Sequence, residues 1–125
     1  MNTSINAAID THQNDNAPDY LWHIWRSFSI SESIAEHSVI HIEGNSLTFF
    51  YEASGYDVDN DKSYYRIIEV YDIDAVAVQI SLGLVDLSDI ANSAQAMFSG
   101  REGVNLFADF LDKNNISYRK KESYE

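Results

Sequence analysis

The sequence predicts an α+β fold: an antiparallel sheet of about four to five strands with helices packed on one face. Three observations lead there. Short runs rich in β-branched and aromatic residues follow one another between Val39 and Leu82, separated by turn-forming residues. Two segments with apolar residues at helical spacing come after these runs and not between them. The resulting order is helix, four strands, two helices and a short strand, without the regular strand–helix alternation of a parallel doubly wound sheet.

The segment Ala17 to Phe28 reads two ways. Leu21, Ile24, Trp25 and Phe28 fall at i, i+3, i+4 and i+7, a helical stripe that Asn16 could cap and Pro18 could open. Trp22, Ile24, Arg26, Phe28 and Ile30 alternate as a strand would; the helix is the preferred reading. Val39–Glu43 and Leu47–Ala53 flank Gly44-Asn45 and form a hairpin. After an acidic loop from Gly55 to Lys62, Tyr64–Ile73 is a third strand and Ala75–Leu82 a fourth. In the fourth, Val76, Val78, Ile80 and Leu82 give the cleanest alternation in the chain. A helix follows with Leu87, Ile90, Ala91, Ala94, Met97 and Phe98 on one stripe, Asp86 as its cap and Gly100 as its terminator. A second opens at Ser99-Gly100-Arg101-Glu102, a capping-box spacing, and buries Val104, Phe107, Ala108 and Leu111. Ile116–Tyr118 returns as a short edge strand. The organisation is a flexible leader over residues 1–16, one α+β domain over 17–118 and a basic, frayed tail over 119–125.

At 125 residues the chain suffices to bury about two-thirds of its unfolded surface around one core. It has no cysteine, which removes disulfides, thiolate metal sites and cysteine nucleophiles and fits a reducing compartment. Met1 to Asn16 is polar, unlike a signal peptide. The longest apolar-leaning run, Ala75 to Val85, is far short of the roughly 20 residues that span a bilayer. The expected location is the cytoplasm. The outlier is charge: 20 acids against 8 Lys and Arg, a net −12. Ten acids and only two bases, Lys62 and Arg66, lie between Glu43 and Asp89. Such a charge argues against nucleic acid and anionic membranes as direct partners. It serves solubility, or it complements a basic protein surface, speeding association and rejecting wrong partners.

Catalytic and metal motifs each lack a required companion. Asp57-Val58-Asp59-Asn60-Asp61 begins like a calcium loop, but Lys62 and Ile68 stand where an EF-hand needs Gly and Glu. His37 and His41 are four apart, the zinc spacing for a helix, yet Ser38-Val39-Ile40 is β-forming; on a strand they share a face with Glu43, as ordinary surface histidines. There is no Gly-x-Ser-x-Gly elbow and no phosphate loop, and Gly100-Arg101-Glu102-Gly103 is only a helix start. Carboxylate pairs such as Glu52 with Glu69 or Asp72 with Asp74 carry no specific signal in so acidic a chain, and nothing favours glycosidase-like chemistry. No catalytic residue, metal site or cofactor is expected.

Recognition residues fare better. Trp22 and Trp25 are core residues on the plainer reading and an interface hot spot on the other. Tyr51, Tyr56, Tyr64, Tyr65 and Tyr71 interleave with Glu52, Asp57, Asp59, Asp61, Glu69, Asp72 and Asp74. Tyrosine supplies rigid contact area and carboxylates pair with Lys and Arg, so this is a candidate surface for a cationic protein. In size, acidity, absence of cysteine and α+β layout the whole chain resembles the small acidic immunity proteins of bacterial toxin systems, including contact-dependent growth inhibition. The resemblance implies a cytoplasmic inhibitor of a cognate toxin domain, often a nuclease with a basic groove. It also implies contact through Glu52, Asp57, Asp59, Asp61, Glu69, Asp72 and Asp74, with Tyr56 and Tyr64 as anchors. The alternatives are a nucleic-acid mimic inhibiting a DNA-binding enzyme, and a small enzyme with an aromatic-lined pocket.

Overall fold

Strand-forming residues dominate the first half of the chain, and the computed structural model, which describes residues 19–55 and 63–124, pairs them into one sheet. Its strands are β1 (Asp19–Ser29), β2 (Ile34–Glu43), β3 (Ser46–Gly55), β4 (Ser63–Tyr71) and β5 (Arg119–Tyr124). They lie in the order β1-β2-β3-β4-β5, every neighbouring pair antiparallel. Between β4 and β5 run α1 (Ile73–Ser81), a 3-10 turn (Leu87–Asp89), α2 (Ile90–Met97) and α3 (Gly103–Lys113). The α+β class is therefore as expected. Among the described residues no helix is long and apolar enough to cross a membrane.

The core lies between the helices and one face of the sheet. Cross-strand pairing aligns Ile40, Phe49 and Ile68 in one row and Ile42, Leu47 and Val70 in the next, all buried. Period-two burial along β3 (Leu47, Phe49, Tyr51) is what an antiparallel strand with one covered face requires. Above these rows sit Val78, Ile90, Ala94, Phe98, Val104, Phe107 and Leu111. The hairpin at Gly44-Asn45 forms as expected, with Glu43 opposite Ser46 and Gly44 at φ 61, a left-handed value suited to glycine. Asp86 caps as expected too, its carboxylate accepting from the Ser88 backbone N–H at 2.9 Å.

Two elements differ from expectation. Ala17–Phe28, read as a helix, is β1 over its described part. The register slips between His23 and Trp25, a bulge that inserts Ile24. Trp22 pairs with Ile40 and Trp25 with Ser38, so Trp22 and Trp25 both face the core although three positions apart. The helical stripe read from the sequence is thus split between the two faces, with Ile24 and Trp25 toward the core and Leu21 and Phe28 exposed. Conversely, Ala75–Leu82, read as a strand, is α1. It buries Ala75 and Val78 and packs Leu82 against the core, spacings of three and four, while Val76 and Ile80 face out. The chain passes from β4 into α1 at Asp72, where φ is 52 and the backbone N–H donates to Asn45 O at 2.9 Å.

Smaller differences lie at the C-terminal end. The capping box at Ser99–Glu102 does not close: α3 begins at Gly103 with no side-chain cap, and the Glu102 carboxylate accepts from Asn105 Nδ2 at 2.6 Å. The basic segment read as a frayed tail forms β5, one residue beyond the strand expected at Ile116–Tyr118. Its Arg119, Lys120 and Lys121 place cations on a sheet edge, which discourages pairing with another chain's strand. The expected leader lies outside the described residues.

Gly103 shows how closely α3 enters the core. A Cβ there would stand 1.8 Å from the Phe98 carbonyl oxygen, a backbone atom that cannot rotate away. Gly103→Ala should therefore lower unfolding free energy by roughly 1–3 kcal/mol, read as a reduced urea midpoint with an unchanged slope.

Candidate protein-binding surface

The sheet face opposite the helices is covered by no described element. Cross-strand register sets its side chains in rows. One row runs Leu21, His41, Thr48, Glu69, Arg119; the next His23, Val39, Phe50, Ile67, Lys121; the third Arg26, His37, Glu52, Tyr65, Ser123. The middle row is apolar at Val39, Phe50 and Ile67 with His23 and Lys121 at its ends, and its neighbours carry the other histidines and charges. His37 Nε2 lies 3.1 Å from Glu52 Oε1 and His41 Nε2 lies 2.6 Å from Asp19 Oδ1. The His37 ring stands edge-on to Phe50, which in turn contacts Tyr65 with centroids 6.0 Å apart. Lys121 Nζ is 3.4 Å from Glu69. A shallow groove of about 410 Å³ on this face is lined by residues including His23, His37, His41, Phe50 and Glu52, and a second of about 590 Å³ includes Arg26, Phe28 and His37 together with Glu36. Among the described residues no group of three His, Asp or Glu side chains is placed to hold a metal ion. The open, aromatic and mixed-charge character of the face suits contact with another macromolecule.

A second polar assembly lies on the helix side. The Glu36 carboxylate is buried and receives Arg101 in a fork, Nε at 2.6 Å and Nη2 at 2.7 Å, while the Tyr51 hydroxyl donates to it as well. The Arg101 hydrogen bond holds the Glu36 carboxyl below its ordinary range, against burial, with Tyr51 assisting. Burial first, and then the bond to Glu36, push the Tyr51 hydroxyl up. Arg66 lies over the rings of Tyr51 and Tyr64, about 5 Å from each centroid, donates Nε–H to the Tyr64 hydroxyl, and reaches the Arg101 carbonyl and Glu102. These contacts tie the connection before α3 to β2, β3 and β4. They hold structure together.

The residues singled out from the sequence are not gathered in one place. Glu52 and Glu69 share the open face but sit in different rows, paired with His37 and Lys121. Tyr64 faces the opposite side, within the Arg66 assembly. Asp72 and Asp74 occupy the entry to α1, Asp72 exposed and neither with a described cation partner. Tyr56, Asp57, Asp59 and Asp61 lie outside the described residues. His37, His41 and Glu43 do share a face, as expected. His23 joins them because it lies on β1, where the sequence predicts a helix. The Glu36–Arg101 pair, 65 positions apart, had no signal in the sequence.

Glu36 makes stability pH-dependent with a definite sign. Its carboxyl is held low in the folded state, so its contribution is complete above the ordinary glutamate range and is lost as pH falls through the folded value. Glu36→Gln should flatten that acid limb in urea titrations between pH 6 and about pH 3. Tyr51→Phe, which removes one donor, should cost about 0.5–1.5 kcal/mol at neutral pH.

Comparison with protein-family models, with curated proteins and with solved structures gives no match to the chain.

Proposed function

We propose that this chain is a protein-binding inhibitor of the immunity type, which neutralises a toxic partner by occupying that partner's basic surface. The observation that carries the reading is how charge is distributed once the chain is folded. Arg66, Arg101, Lys120 and Lys121 each lie within ion-pair distance of an acid of the same chain, namely Glu102, Glu36, Glu122 and Glu69. Glu43, Asp72, Asp74, Asp86 and Asp89 have no Lys or Arg partner among the described residues. Four of the eight Lys and Arg are thus engaged with acids of the chain itself while these five acids are not offset, which leaves a net negative field that steers cationic proteins and repels phosphate backbones. The Glu52–Glu69 face adds aromatic contact area beside this field.

With the purified chain as bait, the retained partner should carry an excess of Lys and Arg, be toxic alone and lose its activity in the complex. Their association rate should fall by about one to two orders of magnitude between low and physiological salt. A salt-independent rate, or a neutral or acidic partner, would overturn the reading.

A further inference from the structure

α1 is apolar on two sides. Its inner side, Ala75 and Val78, belongs to the core. Its outer side presents Ile73 at 79 % exposure, Val76 at 45 % and Ile80 at 71 %, positions i, i+3 and i+7 of one helix and therefore one continuous stripe. Val85, 94 % exposed, extends the apolar area, because Val76 and Val85 line one cleft of about 430 Å³ between α1, the 3-10 turn and the Gly44-Asn45 hairpin. Single exposed aliphatics are ordinary on a protein surface; a stripe of them along one helix marks a contact. The charged residues of α1 and of the described cleft lining are acidic. Asp72 and Asp74 flank the start of α1, Asp86 stands at the cleft, and neither α1 nor the 3-10 turn contains Lys or Arg.

Charge selects the occupant. A second copy docked across a two-fold axis would set this acidic rim against itself with no cation on the helix to offset it. Residues 1–18 contain Asp10 and Asp15 and no Lys or Arg, so they complement the rim no better. What fits is an apolar ridge bordered by Lys and Arg on a cationic protein. We propose that the outer stripe of α1, from Ile73 to Ile80 with Val85, is a docking surface for such a ridge. The proposal rests on the reading of the chain as a binder of a basic protein, and it assigns the energetic centre to α1 in place of the open sheet face.

The probe is a synthetic amphipathic helical peptide of leucine and lysine, with a leucine–glutamate peptide of the same pattern as control, titrated into the full chain by NMR. Shift changes should centre on residues 73–86. Ile73→Ser with Ile80→Ser should weaken binding roughly tenfold or more, since both side chains would sit at the centre of the contact. Both are exposed, so circular dichroism and the urea midpoint should stay as in the unchanged chain. Leu21→Ser with Phe28→Ser, on the open sheet face, should leave peptide affinity within about twofold. Shifts centred on the sheet face, equal binding of the glutamate peptide, or self-association through α1 would each overturn the proposal. The two readings separate when a basic partner from the bait experiment is in hand. If that partner binds the Ile73/Ile80 double variant as tightly as the unchanged chain, the docking surface falls while the inhibitor reading stands. If no basic partner exists, the inhibitor reading falls on its own test, whatever the peptide does.

Discussion

Phe49, at the middle of the central strand, packs on Phe107 with centroids 5.4 Å apart and edge-on to Phe98 at 6.4 Å, while Phe98 and Phe107 meet each other at 5.2 Å. This triangle joins the sheet to the end of α2 and to α3. Ring pairs in such tilted and edge geometries contribute about 0.5–1.5 kcal/mol each beyond the area they bury. It forms only because α3 can start beside the Phe98 carbonyl, where Gly103 has no side chain to exclude it. Every helix that contributes to the core does so on this side, and the sheet is single-faced as a consequence. The other face therefore keeps Phe50, Ile67 and Tyr65 half-buried, with no described helix over them.

Charge follows the same layering. The connection before α3 must lie down on strands β2 to β4, and the buried Glu36 carboxylate fixes it there by receiving Arg101. A carboxylate so nearly enclosed needs a cation and hydrogen bonds to remain ionised. Arg66 is held between tyrosine rings beside it for the same local purpose. With β5 adding Lys121 to Glu69, much of the chain's scarce positive charge is consumed by folding. The outward surplus of acid is then not a separate feature. Half of the eight Lys and Arg are taken up in this way, and the acids without a described Lys or Arg partner include Glu43, Asp72, Asp74, Asp86 and Asp89, around the Gly44-Asn45 turn, α1 and the 3-10 turn.

The strands with a regular covered face were legible in the sequence, as were α2 and α3, because their burial follows one clean period: Leu47, Phe49 and Tyr51 at two, Val104, Phe107, Ala108 and Leu111 at three and four. The misread elements are those where burial and hydropathy part company. In β1 apolar residues stand on both sides, Ile24 and Trp25 toward the core and Leu21 and Phe28 exposed, and taken together the two sets fall at helical spacing. The Glu36–Arg101 and Arg66–Tyr64 assembly was illegible for a different reason: its members come from β2, β3, β4 and the connection before α3, and nothing local marks them as partners. Of the candidate contact residues, the acids were recognisable as a group, but only the fold separates Glu69, neutralised by Lys121, from Asp72 and Asp74, which have no described cation partner.

The error at α1 differs in kind, and it explains itself. Val76, Val78, Ile80 and Leu82 alternate perfectly, yet the helix needs only Ala75, Val78 and Leu82 for its inner side. A helix serving the core alone would carry polar residues at 73, 76 and 80, and its sequence would then have shown a helical period. The aliphatics at those positions turned that period into an apparent strand, and they are the same ones folding leaves in water. Their presence is unaccounted for by the core, by helix propensity, since Ile and Val are weaker helix formers than the Lys, Glu or Gln that an idle surface tolerates, or by solubility. The docking contact proposed for α1 would account for all three positions at once, and the place where the pattern misleads is the place where folding leaves an apolar stripe uncovered.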